Sequence, residues 1–195
     1  QVSLPRTVFN VISAWIQPGG PSSARVAVGR GESAFCLELR YGIIRICLAR
    51  KAAPSQPVAL CAHQEAKLSW LDWEFQLQEM PVRVEQPSAG GSRAPGEGAK
   101  SFEERLDAES VARSGAVSVR SRKEGDRFQP LGMEGSKSLK VLFRERRVWP
   151  SERDGVPILV AGDDIVWVVG HRIDHRFRIR PETTRVLAVK ARRKS

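Results

Sequence analysis

Arg122-Lys-Glu-Gly-Asp-Arg-Phe-Gln-Pro-Leu-Gly-Met133 is the stretch on which the reading of this chain turns. Gly125-Asp126 signals a turn, and Pro130 and Gly132 keep the residues around them out of regular structure. Three cations, Arg122, Lys123 and Arg127, and one large apolar anchor, Phe128, are set into this tight loop. Directly downstream, Ser136-Lys-Ser-Leu-Lys-Val-Leu-Phe-Arg-Glu-Arg-Arg147 has helical spacing. At about 100° per residue, Leu139, Leu142 and Phe143 share one face, while Lys137, Lys140, Arg144 and Arg147 lie on the other. A cation-rich loop followed by a helix with a basic outer face predicts a surface for polyanions.

Working outward, Ala116 to Ser121 alternates as a strand leading into the loop. After the helix, Val148-Trp149-Pro150 breaks the pattern and Ser151 to Asp154 predicts a short helical turn. Val156–Val160 and Ile165–Val169 read as a hairpin around Gly162-Asp163-Asp164, and their nearly continuous apolar run predicts burial on both faces. Arg176-Phe-Arg-Ile-Arg180 alternates cation and apolar residue, which predicts a strand that presents Arg176, Arg178 and Arg180. Val186 to Val189 is a last strand, and Arg192-Arg193-Lys194 a basic tail.

The first half reads differently. Residues 3–16 predict a helix with Ser3 as cap, Pro5 in the first turn, and Val8, Ile12, Trp15 and Ile16 on one face; Pro18-Gly19-Gly20 ends it. Phe35, Leu37 and Leu39, then Ile44, Ile46 and Leu48, alternate with polar positions around Tyr41-Gly42, a hairpin signal flanked by Arg40 and Arg45. Val58–Cys61 and Trp73–Leu77 read as further strands, and Trp70 and Trp73 fit a core better than a base-stacking platform. Between residues 86 and 100, eleven of fifteen residues are Gly, Pro, Ser or Ala, the composition of a linker. Phe102 to Ala112 has helix-forming residues. The expected fold class is therefore α+β: small antiparallel sheets with a few short helices, in two subdomains. These are residues 1–85 and residues 116–195, joined by a Gly/Pro-rich linker and short helix over 86–115.

Composition bounds the function. Of 195 residues, 41% are hydrophobic and 28% charged, as in a soluble globular protein, and no apolar run reaches the length of a membrane span. The net charge of +10 is uneven. Residues 116–195 hold 19 Lys/Arg against 10 Asp/Glu, and residues 1–115 hold 13 against 12. The positive field is thus expected where the loop and helix lie. Cys36, Cys47 and Cys61 form no Cys-x-x-Cys, so buried free thiols in a reducing cytoplasm are expected. The chain opens at Gln1 without a methionine or a secretory signal, as expected of a fragment or a processed piece.

No catalytic constellation is visible. There is no Gly-x-x-x-x-Gly-Lys-Ser/Thr phosphate loop. His171 and His175 have metal-ligand spacing only on a helix, and Gly170 with alternating flanks predicts strand and loop there, so no metal site is expected. His171 and Arg172 are expected to pack or to touch RNA. Asp163-Asp164 suit a turn, and Asp126 is expected to orient Arg127 or to cap the loop.

Four blocks carry a resemblance: Gly-Asp-Arg-Phe-x-Pro-Leu-Gly-Met (125–133), Gly-Ser-Lys-x-Leu-Lys (135–140), Glu-Arg-Asp-x-Val-Pro (152–157) and Ile-Val-Trp-Val-Val-Gly-His-Arg-Ile-Asp (165–174). In order and spacing they resemble the C-terminal domain of bacterial tRNA(Ile)-lysidine synthase. More weakly, the Leu4-Pro5 helix and Leu106-Asp107-Ala108 resemble segments that precede that domain, which makes residues 1–85 the middle substrate-recognition region. Whole enzymes of this family use ATP to adenylate the wobble cytidine of the CAU-anticodon isoleucine tRNA, then attach lysine at C2. The chemistry belongs to an N-terminal ATPase domain whose Ser-Gly-Gly-x-Asp-Ser loop does not occur in this sequence.

The resemblance implies a tRNA-recognition part that is not catalytic by itself and carries no cofactor. ATP and Mg would serve the ATPase domain, its partner, and a homodimer is left open. Arg122, Lys123, Arg127, Lys137, Lys140, Arg144, Arg147, Arg172, Arg176 and Arg178 would touch RNA. Gly125, Asp126, Phe128, Gly132, Trp167 and Gly170 would hold the motif's shape. Val141-Leu142 departs from the Asp-Phe-like pair usual after Ser-Lys-x-Leu-Lys. Two alternatives stay open: a stand-alone structured-RNA-binding module, and an assembly domain like the similar β fold of the phenylalanyl-tRNA synthetase β chain.

Overall fold

The computed structural model describes residues 6–28, 35–48, 56–58, 65–82 and 101–194. The expected Ser3 cap, the strand end at Cys61 and the stretch 86–100 lie outside them. Two compact units result: Gln1–Lys51 with Trp149–Glu152, and Ala52–Val148 with Arg153–Ser195.

The first unit opens with helix α1 (Arg6–Ile16). Its apolar stripe buries Val8 fully, but Ile16, expected on the same face, is 69% exposed. Strands β1 (Ser23–Val28), β2 (Phe35–Arg40) and β3 (Ile43–Leu48) follow as an antiparallel meander. The β2–β3 hairpin forms at the expected turn, where Tyr41 and Gly42 both have positive φ (51° and 73°), the signature of a two-residue hairpin that matches strand twist. The expected one-sided burial fails in β2. Cys36 through Leu39 are all buried, whereas Ile43 and Ile46 are more than half exposed.

The second unit contains β4 (Gln56–Val58), β5 (Ala66–Trp70), β6 (Trp73–Pro81), β7 (Ser101–Asp107), α2 (Ala108–Ser114), β8 (Val117–Arg120), β9 (Arg127–Phe128), β10 (Lys137–Ser138), α3 (Leu139–Glu145), β11 (Ile158–Ala161), β12 (Asp164–Val168), β13 (Arg172–Ile173) and β14 (Arg185–Arg193), while the short helix α4 (Pro150–Arg153) belongs to the first unit up to Glu152. A one-turn 3₁₀ helix spans His175–Phe177. The strands form a five-stranded sheet, β13-β12-β11-β8-β4, a four-stranded sheet, β5-β6-β14-β7, and the small ribbon β10-β9. With short helices beside antiparallel sheets, the architecture is α+β, as expected.

One apolar cluster joins the two larger sheets, from Trp70, Phe75, Leu77 and Leu187 through Leu106 to Val119, Leu159, Val166 and Trp167. Each such side chain, fully buried, contributes about 1.5–3 kcal/mol of hydrophobic stabilisation. Trp70 and Trp73 lie in this core, not on a stacking surface. The compact units do not follow the expected boundaries near residues 85 and 115. β6 and β7 both pair with β14, so residues 66–81, 101–107 and 185–193 share one sheet. Pairing with β14 along its whole length makes 101–107 a strand, and the helix predicted over 102–112 begins only where Asp107 accepts from the Ser110 amide as its cap. The basic tail is likewise part of β14 to Arg193, which pairs with Asp72 at 2.7 Å.

A second cluster sets the stage for the site. Leu139, Leu142 and Phe143 of α3 pack with Phe128 onto Ile158, Val160, Ile165 and Val168 of the β11–β12 hairpin, which is buried on both faces as predicted.

Candidate nucleic-acid interface

The loop is fixed from its inner side. Arg120, at the end of β8 and only 9% exposed, grips Asp126 with two hydrogen bonds of 2.8 and 2.9 Å. A bidentate guanidinium–carboxylate pair of this kind sets direction as well as energy. Asp126 also accepts from the Lys123 amide at 2.6 Å, and Gly125, at φ 83°, supplies the left-handed residue that lets the chain turn back. Of the two roles expected of Asp126, it takes the second: it caps the loop backbone and does not orient Arg127. Arg127 instead donates to the hydroxyl and the carbonyl of Ser136, both at 3.0 Å. Arg120 was missed because a cation inside a strand reads as surface charge until its acid is known.

Past Phe128, which is 2% exposed, the loop is stitched to the segment around Asp174. The Gln129 amide donates to Asp174 at 3.0 Å, His175 donates to the Gln129 carbonyl at 2.7 Å, and Leu131 donates to the Ile173 carbonyl at 2.9 Å.

Helix α3 starts three residues later than predicted. Lys137 and Ser138 first pair with Phe128 and Arg127 as β10, and Ser138 then caps the helix by accepting from the Val141 amide. The apolar face is as predicted, with Leu139, Leu142 and Phe143 buried. The basic face is shorter than predicted. Lys137 is on the ribbon, bound to Glu145 at 2.8 Å, and Arg147 lies past the helix end with φ 54°. Lys140 and Arg144 remain on the outer face, exposed, and Arg146 follows them. The helical wheel misses Arg146 because the helix stops at Glu145 and the chain turns. Among the described residues, Lys123, Lys140, Arg144 and Arg146 carry no ion pair, and Arg122 pairs with Asp154 at 2.9 Å.

The predicted cationic strand over 176–180 does not form. Asp174 is fully buried and must be satisfied. It caps the 3₁₀ turn through the Arg176 amide at 2.9 Å and captures the same residue's guanidinium at 3.1 Å, while Asp164 holds the far nitrogen at 2.7 Å. The Asp174 bond, stronger than the opposing burial and helped by Asp164, pushes the Arg176 guanidinium further toward its charged form. Arg178 donates to the His175 carbonyl at 2.8 Å. Both are employed inside the fold. Arg172 sits half-buried on β13. His171 lies edge-on to Phe143 at 5.7 Å between ring centroids, and burial, then the Arg146 charge, pushes it down to about 4. Trp167 is fully buried. Gly132 has φ 80°, and Gly170, at φ 75°, faces the Phe102 ring so closely that a side-chain carbon would come within 3.1 Å of it.

The geometry defines a class: a small α+β domain whose hydrogen-bonded loop and short helix turn a basic surface outward. Residues 117–189 match the family described as TilS substrate C-terminal domain. The chain is 44% identical over 75 residues to a tRNA(Ile)-lysidine synthase of Caldanaerobacter subterraneus subsp. tengcongensis, covering 38% of this chain and 16% of that protein. A Symbiobacterium thermophilum protein of the same name is 45% identical over 80 residues, covering 41% of this chain and 17% of its own length. The chain thus aligns with about a sixth of these relatives' length and fits a C-terminal portion of such proteins. A solved structure, "Crystal structure of TILS C-terminal domain", shares the fold with a TM-score of 0.51 at 23% identity, over 73% of this chain and 99% of that one.

Proposed function

We propose that this chain is a tRNA-recognition part of a tRNA(Ile)-lysidine synthase, binding the CAU-anticodon isoleucine tRNA for an ATPase domain that works with ATP and Mg in the cytoplasm. In this reading the chain performs no chemistry itself. One observation carries it. In a domain where Arg120, Arg122, Lys137 and Arg176 are each matched by a carboxylate, Lys140, Arg144 and Arg146 with Lys123 are left exposed and without an ion pair among the described residues. A polyanion supplies the missing charge. Contacts of this kind fix the register and orientation of a folded RNA through its phosphates, not through its bases.

The test is binding of the chain to CAU-anticodon isoleucine tRNA and to elongator methionine tRNA across a salt series. The proposal expects binding that weakens steeply with salt, and tighter for the isoleucine tRNA. Equal binding to both would move selectivity elsewhere in the enzyme. No binding to either would replace RNA recognition by a role in protein assembly.

A further inference from the structure

The first unit holds a cluster that the RNA reading does not use. Cys36 of β2 and Cys47 of β3 are direct cross-strand partners, and their sulfur atoms lie 2.7 Å apart. Cys36 and Glu38 are two apart on β2 and so share a face of the sheet with Cys47, and Arg25 of β1 is the cross-strand partner of Glu38. Glu38 is 1% exposed, accepts from Ser151 at 2.6 Å and pairs with Arg25 at 3.3 Å. The two sulfurs and a Glu38 oxygen lie within 4.8 Å of one another.

Such a group invites two readings, a metal site or a dithiol. Two thiolates on one zinc stand about 3.7 Å apart, given zinc–sulfur bonds of about 2.3 Å in a tetrahedron. These sulfurs are closer than that, and the carboxylate that would be a third ligand is already neutralised by Arg25. A second cation is poorly placed beside that guanidinium. The two thiols, by contrast, need only a small approach to bond.

The geometry points to Cys36 and Cys47 as a thiol–disulfide exchange site that closes into a cross-strand disulfide on reaction with a low-molecular-weight disulfide. The two cysteines have different parts. Cys36 is 3% exposed, and burial, then the hydrogen bond with Cys47, pushes its thiol up to about 11. Cys47 is only half-buried, the more accessible residue of the two. Cys47 thiolate attacks one sulfur of the small disulfide, forming a mixed disulfide and releasing one thiolate. Cys36 then gives its proton to the thiolate released in the first step and attacks the Cys47 sulfur, expelling the second thiolate, which takes a proton from water. The two cysteines together lose two electrons and two protons, and the small disulfide becomes two thiols. This site is independent of the proposed RNA surface.

The test uses the whole chain carrying Cys61→Ser, reduced, then exposed to oxidised glutathione in graded glutathione buffers, quenched with acid and mapped by mass spectrometry. The expected product under native conditions is the Cys36–Cys47 disulfide, with circular dichroism unchanged. Adding Cys36→Ser should trap glutathione on Cys47. Adding Cys47→Ser should leave Cys36 reacting at least about tenfold more slowly, a gap that vanishes in urea, where burial is lost. Three results would overturn the proposal: a native chain that resists oxidation although the urea-unfolded chain does not; equal rates for the two single-cysteine variants under native conditions; or stoichiometric zinc binding that needs Cys36, Glu38 and Cys47 and blocks oxidation.

Discussion

Arg144 and Arg176 sit in the same unit, carry the same charge, and are used in opposite ways. Arg176 lies between Asp174 and Asp164, and its removal strips a buried carboxylate of its counter-ion. Arg144 lies on α3, whose inner face is Leu139, Leu142 and Phe143, and points its charge outward with no ion pair among the described residues. The difference is made by burial of the acid, not by the base. Asp174 sits where water cannot solvate it, so a cation and two amides must. Charge that the fold consumes is not available to a ligand, and counting arginines in the sequence overstates the interface.

The largest effect should come from breaking the consumed side. Asp174→Ala leaves the Gln129 and Arg176 amides without their acceptor and frees a guanidinium beside the core. Unfolding in urea should show a loss of about 3–4 kcal/mol. At temperatures where the variant remains folded, its affinity for tRNA should not fall, since Lys140 and Arg144 are untouched and one carboxylate is gone. A loss below about 1 kcal/mol would mean that Arg176 is not held as argued.

His171 sharpens the comparison through pH. Its folded pKa of about 4 lies below the ordinary 6.5, so the unfolded chain takes up a proton first as pH falls. The stabilisation from a neutral His171 is complete above pH 6.5 and is lost progressively down to about pH 4, to a limit of about 3 kcal/mol. His171→Gln should flatten that part of the profile. Burial is the larger cause and the Arg146 charge the smaller, so Arg146→Ala should raise the His171 pKa only partly toward 6.5, as read by NMR titration. A phosphate bound at Arg146 should shift it in the same direction.

On the free side the expected effects are smaller and fall on binding. Lys140→Ala and Arg144→Ala should each change stability by less than about 0.5 kcal/mol. Each should weaken tRNA binding several-fold and lower the salt slope by about 1. Unchanged affinity in both variants would remove α3 from the interface, and with it the distinction between free and consumed cations.

This contrast also explains what the sequence could and could not reveal. The apolar face of α3, the β11–β12 hairpin and the Tyr41-Gly42 turn were legible because each rests on local spacing or on a backbone conformation that only a few residues adopt. The fate of Arg176 was not, since it depends on Asp164, which sits twelve residues earlier and across a sheet. Lys137 was misjudged for a related reason. The periodicity that puts it on a helix is real, but pairing with Phe128 across the β9–β10 ribbon overrides it. Nor could any local pattern show that β6 and β7 flank β14, a pairing that joins the two halves of the chain.

Lys137 offers the finest test, because it stands between the two groups. It is bound to Glu145, yet that partner is half exposed, so the pair is worth well under 1 kcal/mol and a competing anion can take the lysine. Glu145→Gln removes the competitor and one negative charge from the end of α3 without touching the apolar face. Losing a negative charge at a helix C-terminus is neutral to slightly favourable, so stability should stay within about 0.5 kcal/mol. Affinity for tRNA should rise about twofold to threefold at low salt, and the gain should fade as salt screens it. If Glu145→Gln weakened binding instead, Lys137 would need its partner for orientation and would belong with Arg176, among the cations that the fold has already spent.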